Sequence, residues 1–411
     1  MKAGRKQIQQ QDIRTRVELA SSSGMMKELP SMTISQREQF LVLNDVFRIY
    51  SDFDACDIAT QKFTVEIQRG KQLDYLTNGL SRPWLCYWIL HSIGLLGESV
   101  DDDLENNTID FLRHCQLSHL ATSYAAVNTL VTLGGDKAIQ KMSSFLRRMK
   151  DPDGGFRVHD MGEMDVRACY LAISIASILN IVDDELTRSL GDYILSCQTY
   201  EGGIGEENLA PKLTPGMNWV VHQQGVEWGF QGRMNKLFDG CYTFWQAAPC
   251  VLLQRFYSAH DLVLHGSLHM SQARDEDHEE HAHDEDDPED SDDDDSDTDS
   301  NDGLLALFED SRRVQPVFDS FNLQRCVILC SMVPEGGFRD KPVKPRDFYH
   351  TCYCLSSLSV AQHAWSKDND TPTLNSDILG GYVNHLEPVH LLHNVVMDRY
   401  NKAIEFFHRA T

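Results

Sequence analysis

The sequence predicts an all-α protein built from repeats, and two observations indicate this fold class. Apolar residues recur every three or four positions between about 36 and 270 and between 303 and 365, whereas runs of alternating β-branched residues do not occur. In addition, a glycine turn is followed three times, nine residues after its aromatic residue, by an aspartate: Phe156 to Asp165, Phe230 to Asp239, and Phe338 to Asp347. A repeat that returns in register predicts a ring or solenoid with equivalent positions at one end.

The elements of each repeat follow in the order helix, glycine turn, loop with aspartate, and second helix. The most apolar stretch, Ala168 to Leu179, predicts a buried helix because it is shorter than the ~20 residues that cross a membrane. A late amphipathic stretch predicts a helix from Asn394 to His408. Only 26 residues separate Ile204 from Phe230, which is too few for a helix pair with its connections. One repeat is therefore predicted to lack its helices.

The charge pattern divides the chain into a folded part and two polar segments. Residues 275 to 302 hold 18 Asp and Glu, so residues 271–302 are predicted to be a disordered acidic insert. Residues 1–35 are predicted to be a mobile N-terminal arm, and residues 36–270 and 303–411 a single α–α barrel domain. Without the insert the net charge of −25 falls to −7, from 37 basic against 62 − 18 = 44 acidic residues. This balance gives no indication of a nucleic-acid partner.

The cysteines and the N-terminus predict a cytoplasmic protein. The 11 cysteines are an odd number, and the N-terminal residues lack the apolar region of a secretory signal. Reduced thiols are expected in such a chain. No stable insertion into a membrane is expected.

Three residues at equivalent repeat positions are candidate metal ligands, namely Asp239, Cys241 and His350. Zinc binds oxygen, sulfur and nitrogen ligands, and a catalytic zinc site keeps one position open. A substrate thiol that enters this position becomes a thiolate nucleophile. An Asp-x-Cys pair alone is more often a helix start beside a buried cysteine. The shared register favours the metal site.

Two further groups of residues have a functional and a structural interpretation. Arg233 and Lys236, three residues apart, are candidates to clamp a diphosphate together with Tyr242 and Lys344, or they are simply surface cations. The aromatic-rich segment from Ser81 to Leu90 is either core packing or a wall for a long apolar ligand.

Four segments resemble the protein prenyltransferase β-subunit family, and within it the farnesyl-transferring type. They are 81–88, 162–167, 229–246 and 340–353, and the resemblance extends from about residue 60 to 365. It implies an α–α barrel around a funnel-shaped apolar cavity. It also implies a zinc-dependent enzyme that transfers farnesyl from farnesyl diphosphate to the cysteine thiol of a C-terminal CaaX motif. The partners it implies are an α subunit, in a heterodimer, and CaaX-ending protein substrates.

The resemblance assigns roles to individual residues. It implies a catalytic zinc centre of Asp239, Cys241 and His350 with Tyr242, and a possible magnesium-linked carboxylate at Asp340. It implies that the isoprenoid diphosphate contacts Arg233, Met234, Asn235, Lys236, Tyr242, Thr243, Phe244, Trp245, Tyr170, Tyr124 and Lys344. It implies that substrate selectivity and the peptide site involve Trp84, Trp88, Arg167 and Tyr353, with Trp84 as the bulky residue that shortens the cavity to fifteen carbons.

The chain departs from the family pattern at two places, and these departures keep alternatives open. The family segment that supplies a diphosphate-contacting histidine is absent, and residues 206 to 228 are unrelated to it. The first glycine turn, upstream of Tyr124, is also missing. The alternatives are a geranylgeranyltransferase type I β subunit, against which Trp84 argues, and a non-catalytic variant that binds the α subunit. A terpene cyclase on the same barrel is a more distant alternative.

Overall fold

A computed structural model describes residues 33–76, 82–114, 119–134, 142–199, 203–204, 216–233, 236–272, 313–366 and 371–410. Nearly all of the predicted N-terminal arm and acidic insert lie outside the described residues, as do Met234 and Asn235. The first described helix begins at Ile34, so it includes the last two residues of the predicted arm 1–35. Another helix extends to Gln272, so it includes the first two residues of the predicted insert 271–302.

Helices make up most of the described part of the chain. Its helices are α1 (Ile34–Ala55), α2 (Ile58–Val65), α3 (Arg69–Leu76), α4 (Pro83–Leu95), α5 (Asp102–His114), α6 (Leu120–Leu133), α7 (Met142–Met149), α8 (Val166–Ile178), α9 (Asp184–Thr187), α10 (Leu190–Ser196), α11 (Gly216–Val221), α12 (Gly240–Gln272), α13 (Ser320–Cys326), α14 (Phe348–His363) and α15 (Met397–Ala410). A π-helical segment, Val327–Ser331, follows α13, and two 3-10 helices are Asn375–Asp377 and Tyr382–Asn384. The strands β1 (Phe338–Arg339) and β2 (Arg346–Asp347) form an antiparallel pair. The predicted all-α class is confirmed.

Five helices form an inner layer and shorter helices cover it. Helix α4 packs on α6, α6 on α8, α12 on α14, and α14 on α4. Helices α8 and α12 complete the ring through Tyr170 and Trp245, whose ring centroids are 5.7 Å apart. Helices α5, α7, α11, α13 and α15 pack against this inner layer from outside. The fold is therefore an α–α barrel, and its core lies between the two layers.

Three of the five inner helices, α8, α12 and α14, start at aspartates because of the capping chemistry of that residue. Asp165 and Asp347 accept hydrogen bonds from backbone N–H groups in the first turns of α8 and α14. Such N-caps satisfy amides that have no partner within the helix. Asp239 accepts the Cys241 N–H at 2.9 Å in the same way. The repeated aspartate is thus a helix-start signal that places three helix N-termini in register.

The repeat turns share one backbone hydrogen bond. In each turn, the glycine just before the aromatic or Ile position accepts, through its carbonyl, the backbone N–H of the residue four positions earlier. The donor and acceptor pairs are Asp151 and Gly155, Thr199 and Gly203, Gly225 and Gly229, and Val333 and Gly337. The preceding position is left-handed, with φ 101° at Gly154 and 90° at Gly336. A Cβ there would lie 2.2 Å from Ser189 O and 2.1 Å from Lys71 O respectively, so only glycine fits.

Three predictions about individual helices can be compared with the structure. Between Ile204 and Phe230 the described residues contain one short helix, α11, which agrees with the predicted loss of a helix pair. The buried helix predicted from Ala168 is α8. The C-terminal helix begins at Met397 rather than Asn394, because Asn394 has a left-handed backbone with φ 51° and belongs to a hairpin. Among the described residues, no helix combines the length and the apolar character needed to cross a bilayer.

Candidate functional site

Asp239, Cys241 and His350, here called the donor cluster, lie together at the N-terminal ends of α12 and α14. One ligand atom from each lies within 4.8 Å of the others. His350 Nε2 is 3.5 Å from Asp239 Oδ1. Cys241 is buried and the other two are half-buried. The structure therefore brings together the three residues that the repeat register predicted to meet, although His350 follows Cys241 by more than a hundred positions.

Asp347 fixes the orientation of the cluster histidine. Its Oδ1 accepts the backbone N–H of His350 at 2.7 Å, and its Oδ2 accepts Nδ1–H at 2.6 Å. Nε2 therefore faces Asp239 and Cys241 with its lone pair available once the imidazole is neutral. A carboxylate behind a ligating histidine is the usual arrangement in metal sites. The repeat register identifies Asp347 from the sequence, and its hydrogen bond to Nδ1 is visible only in the structure.

The electrostatics of the donor cluster are those of a compact group with excess negative charge. Burial lowers the pKa of His350, but hydrogen bonds to Asp239 and Asp347 outweigh it and raise the pKa to about 11. Burial raises the pKa of Asp239, but hydrogen bonds from His350 and Cys241 lower it to about 2. Burial raises the pKa of the Cys241 thiol. Because metal binding displaces ligand protons, a cation would replace the proton held here by the imidazole.

Asp340 lies beside the cluster with one unpaired oxygen. Its Oδ1 is buried without a hydrogen-bond partner, whereas Oδ2 pairs with Lys341. Its backbone carbonyl accepts the Gly240 N–H at 2.9 Å, at the start of α12. Burial, and then the negative charge of Asp239, raise the pKa of this carboxyl. The magnesium role implied for Asp340 stays a prediction.

Seven aromatic side chains from the inner helices form a closed circuit, here called the aromatic collar. Neighbouring ring centroids are 4.8 to 6.2 Å apart. In order around the circuit they are Trp84, Tyr124, Tyr170, Trp245, Tyr353, Tyr349 and Trp88. Phe244 packs against Trp245 and Tyr353 from its buried position. Such contacts are favourable edge-on or tilted packings.

Tyr349 joins the collar to the donor cluster. Its ring centroid lies 5.0 Å from that of His350 and 4.8 Å from that of Tyr353. Sequence analysis did not identify Tyr349 as a site residue, although its position between Asp347 and His350 indicates that it lies near the metal site. The collar otherwise unites residues predicted to form the isoprenoid wall, Tyr124, Tyr170 and Trp245, with residues predicted for substrate selectivity, Trp84, Trp88 and Tyr353.

The remaining predicted residues lie around this centre. Arg233, Lys236 and Lys344 are exposed on the loops before α12 and between β1 and β2. Tyr242 packs over Gly232, where a Cβ would lie 2.2 Å from its ring. Thr243 is buried, and its hydroxyl donates to the Asp239 carbonyl at 3.4 Å.

Arg167, predicted for the peptide site, is exposed at the start of α8. It donates to Asp165 Oδ2, with Nε 3.0 Å away. Asp165 also caps the same helix, so the arginine is held by the repeat aspartate of its own turn.

Comparisons with known proteins agree with this architecture. A family model described as the prenyltransferase alpha-alpha toroid domain matches residues 59–210 and 209–395. The chain is 63% identical to protein farnesyltransferase subunit beta of Arabidopsis thaliana, over 94% of this chain and 92% of that protein. It is 46% identical to protein farnesyltransferase subunit beta of Pisum sativum, over 92% and 98% respectively.

One solved structure shares the fold at low identity. Candida albicans protein geranylgeranyltransferase-I complexed with GGPP matches with a TM-score of 0.53 and 14% identity, over 82% of this chain and 98% of that one. At this identity the likeness concerns the fold alone.

The alignment length indicates that this chain is shorter than its relative within the matched region. The alignment with the Arabidopsis protein spans 443 residues, whereas 94% of 411 residues is about 386. The difference, 443 − 386, leaves about 57 alignment positions opposite gaps in this chain. This agrees with the repeat segments that the spacing predicts to be missing.

Proposed function

Because the chain belongs to the family of protein farnesyltransferase β subunits and is therefore a prenyltransferase subunit, we propose that it forms the catalytic site of a zinc-dependent protein farnesyltransferase. Its substrates are farnesyl diphosphate and proteins that end in a CaaX motif, and it works with an α subunit. The observation that carries the proposal is the junction at Tyr349, where a sulfur, nitrogen and oxygen donor set adjoins the aromatic collar.

The donor cluster fits zinc by its chemistry and its size. Ligand atoms at ~2.0–2.3 Å from a tetrahedral zinc are roughly 3.3–3.8 Å apart. The 3.5 Å between His350 Nε2 and Asp239 Oδ1 falls in this range, and the 4.8 Å limit for the whole cluster needs only small shifts. Three protein ligands leave a fourth position for a substrate. Zinc bound there would lower the pKa of a substrate thiol.

The chain's own residues organise the reaction around this position. Asp347 keeps His350 in the tautomer that presents Nε2, and the turn before α12 presents Asp239 and Cys241 from one helix end. The aromatic collar holds the isoprenoid with its first carbon towards the cluster. The substrate thiolate forms a bond to that carbon, and the carbon–oxygen bond breaks with its electron pair leaving on diphosphate.

The exposed cations stabilise the leaving diphosphate. Its negative charge increases as the bond breaks, and Arg233, Lys236 and Lys344 stand on loops next to the cluster ends of α12 and α14. Tyr242, one residue after Cys241, adds a hydroxyl donor. We place the enzyme in the cytoplasm, and the support is that no disulfide joins the cysteines in the described part of the chain.

A single substitution with a matched control tests the metal site. The chain is co-produced with an α subunit, its metal content is measured by mass spectrometry, and farnesyl transfer to a CaaX peptide is followed. Cys241→Ala is expected to lose bound zinc and to lower transfer by at least ~100-fold. Cys250→Ala removes another buried thiol from the same helix, and this variant should retain both the bound zinc and the farnesyl transfer. Zinc and full transfer in Cys241→Ala would refute the assignment.

Two alternatives remain distinguishable. A non-catalytic variant that binds the α subunit is favoured by the gap of about 57 alignment positions (443 − 386). It would co-purify with the α subunit but show no binding of farnesyl diphosphate in calorimetry. A geranylgeranyltransferase would prefer the longer diphosphate as donor, which the bulk of Trp84 in the collar opposes.

A further inference from the structure

The inner layer is interrupted between α8 and α12, and the space between them is here called the α8–α12 groove. The other four neighbouring pairs of inner helices pack side by side, whereas α8 and α12 meet chiefly at the ring contact of Tyr170 and Trp245. The groove lies where the sequence is predicted to lack a helix pair, between Ile204 and Phe230. In the described ranges these two helices therefore do not cover each other's facing sides.

The side of α12 that faces the groove is apolar. Leu252 and Leu253 pack against none of the core clusters formed by the described residues, and Phe256 is 66% exposed. Apart from Arg255, the residues between Cys241 and Phe256 that are not buried are Tyr242, Trp245, Pro249, Leu252, Leu253 and Phe256. At about 100° per residue these six fall in one arc of about 100°, and Arg255 falls outside it. A helix face of this width and composition normally packs against a partner.

The side of α8 that faces the groove has the same character. Its half-buried side chains Val166, Tyr170, Ile173 and Ser177 also fall in one arc, which contains no charged residue. Because Tyr170 in this arc touches Trp245 in the arc of α12, the two apolar faces are the walls of one groove. Contiguous apolar surface of this kind marks an interaction site.

The chain itself carries a segment that matches this groove. Residues 273–312 lie outside the described residues and are rich in Asp and Glu, with one apolar run, Leu304-Leu305-Ala306-Leu307-Phe308. The spacing of Leu304, Leu307 and Phe308 predicts one apolar face of a short helix. Asp302, just before it, is a residue that commonly starts helices.

This segment joins the described structure at the Phe256 end of the groove. Arg313 is paired with Ser366 by an antiparallel bridge, and Arg255 Nε donates to Ser366 O at 3.2 Å. Two residues after Arg313, the carbonyl of Gln315 accepts Gln254 Nε2 at 2.7 Å. The apolar run therefore begins its path from a point beside α12, next to the exposed Phe256.

The lengths of the groove and of the segment agree. From Trp245 to Phe256 the face of α12 is ~17 Å long, and residues 304–312 would span ~13 Å as a helix. The acidic residues 275–302 cannot cover an apolar face. Residues 205–215 match less well, because they hold two prolines, two glutamates and only two large apolar side chains, Leu209 and Leu213.

We propose that residues 304–308 pack into the α8–α12 groove and cover the two helix faces that the missing helix pair leaves bare. The occupant is thus an apolar segment of the same chain. The acidic residues 275–302 stay in water between this segment and the end of α12. The favourable contribution is removal of Leu304, Leu307 and Phe308 from water together with the walls of the groove. The proposal does not depend on the proposed function.

Photo-cross-linking tests the contact in the chain co-produced with an α subunit. Leu252 is replaced by p-benzoylphenylalanine, and the linked peptides are identified by mass spectrometry after irradiation. A link to residues 303–312 is expected, without an increase in the mass of the chain on a denaturing gel. The matched control carries the same probe at Phe63 of α2, which is 63% exposed, and it should not link to this segment. Links from position 252 to residues 205–215, to the α subunit, to a second copy or to nothing would overturn the proposal.

Hydrogen exchange gives a second readout that needs no turnover. The double variant Leu304→Ser with Leu307→Ser should speed amide exchange in α8 and in residues 240–256 at least ~10-fold, because burial of one leucine side chain corresponds to a factor of this size or larger. The control is deletion of residues 275–302, which retains the apolar run and should leave exchange in both helices unchanged. Unchanged exchange in the serine variant, or faster exchange in the deletion alone, would contradict the proposal.

Discussion

A buried glutamate in a repeat turn gives the sharpest test of the structure's electrostatics. Glu227 is only 7% exposed, and burial raises the pKa of its carboxyl to about 7. Tyr50 of α1 covers the turn and donates its hydroxyl to the Glu227 carbonyl at 2.9 Å. The neighbouring Trp228 packs on Tyr50 with ring centroids 5.5 Å apart. The perturbation is Glu227→Gln, which removes the titration and keeps the shape.

The magnitude follows from the two pKa values. The folded pKa is about 7 and the ordinary value is 4.5, so the folded state retains the proton to higher pH than the unfolded state does. Stability that is present below pH 4.5 is therefore lost as the pH rises through 7. The full difference corresponds to about 3 kcal/mol, of which about 2.5 kcal/mol is lost between pH 5 and 8.

Urea unfolding at pH 5, 6, 7 and 8, followed by tryptophan fluorescence, measures this loss. The free energy of unfolding of Glu227→Gln minus that of the unsubstituted chain should grow by about 2–3 kcal/mol from pH 5 to 8. Titrations of all other groups cancel in this difference between the two chains. Any cost of burying the glutamine amide is the same at every pH, so it does not change the trend. Glu335→Gln, at the equivalent but exposed position of the Gly336–Gly337 turn, is the matched control. A flat difference for Glu227→Gln would refute the reasoning.

Three further substitutions test other parts of the structure. Asp347→Asn should weaken zinc binding by roughly 10–100-fold in a chelator competition, because the cluster histidine loses its orienting carboxylate. Trp84→Ala should raise the use of geranylgeranyl diphosphate relative to farnesyl diphosphate in transfer assays, because the collar loses its bulkiest limit. Asp377→Ala should lower the free energy of unfolding by roughly 3–5 kcal/mol, because Arg313 loses a buried two-contact partner at 2.8 Å. Asp398→Ala, which breaks an exposed pair, should cost less than about 1 kcal/mol in the same unfolding measurement.

Contrary results would be informative in each case. Unchanged zinc affinity in Asp347→Asn would mean that the histidine is oriented by its helix alone. If Trp84→Ala used the two prenyl diphosphates in an unchanged ratio, the length of the accepted prenyl chain would be limited by other residues than Trp84. Equal losses in Asp377→Ala and Asp398→Ala would mean that the buried pair contributes no more than a surface pair.

Much of the fold was accessible from local patterns. The spacing from aromatic residue to aspartate predicted three helix starts in register, and Asp165 and Asp347 do cap helices. It also predicted that Cys241 and His350 would meet. These predictions succeed because N-caps, glycine turns and apolar periodicity act within about ten residues. The position of Trp228 shows the limit, since it adopts, with φ 66°, the left-handed backbone that Gly154 and Gly336 take at the equivalent positions of their turns.

The sequence alone determined the helical class, the repeat register and the identity of the three donors, because each depends on residue type at short spacing. The tertiary structure decided which nitrogen of His350 faces the other donors and that Tyr349 closes the collar. It also decided that Tyr87, Tyr124 and Tyr170 donate hydrogen bonds to the hairpin of residues 388–397. These three hydrogen bonds join residues 222 to 307 positions apart. Their acceptors are backbone carbonyls, which every residue carries, so no side-chain pattern could reveal them.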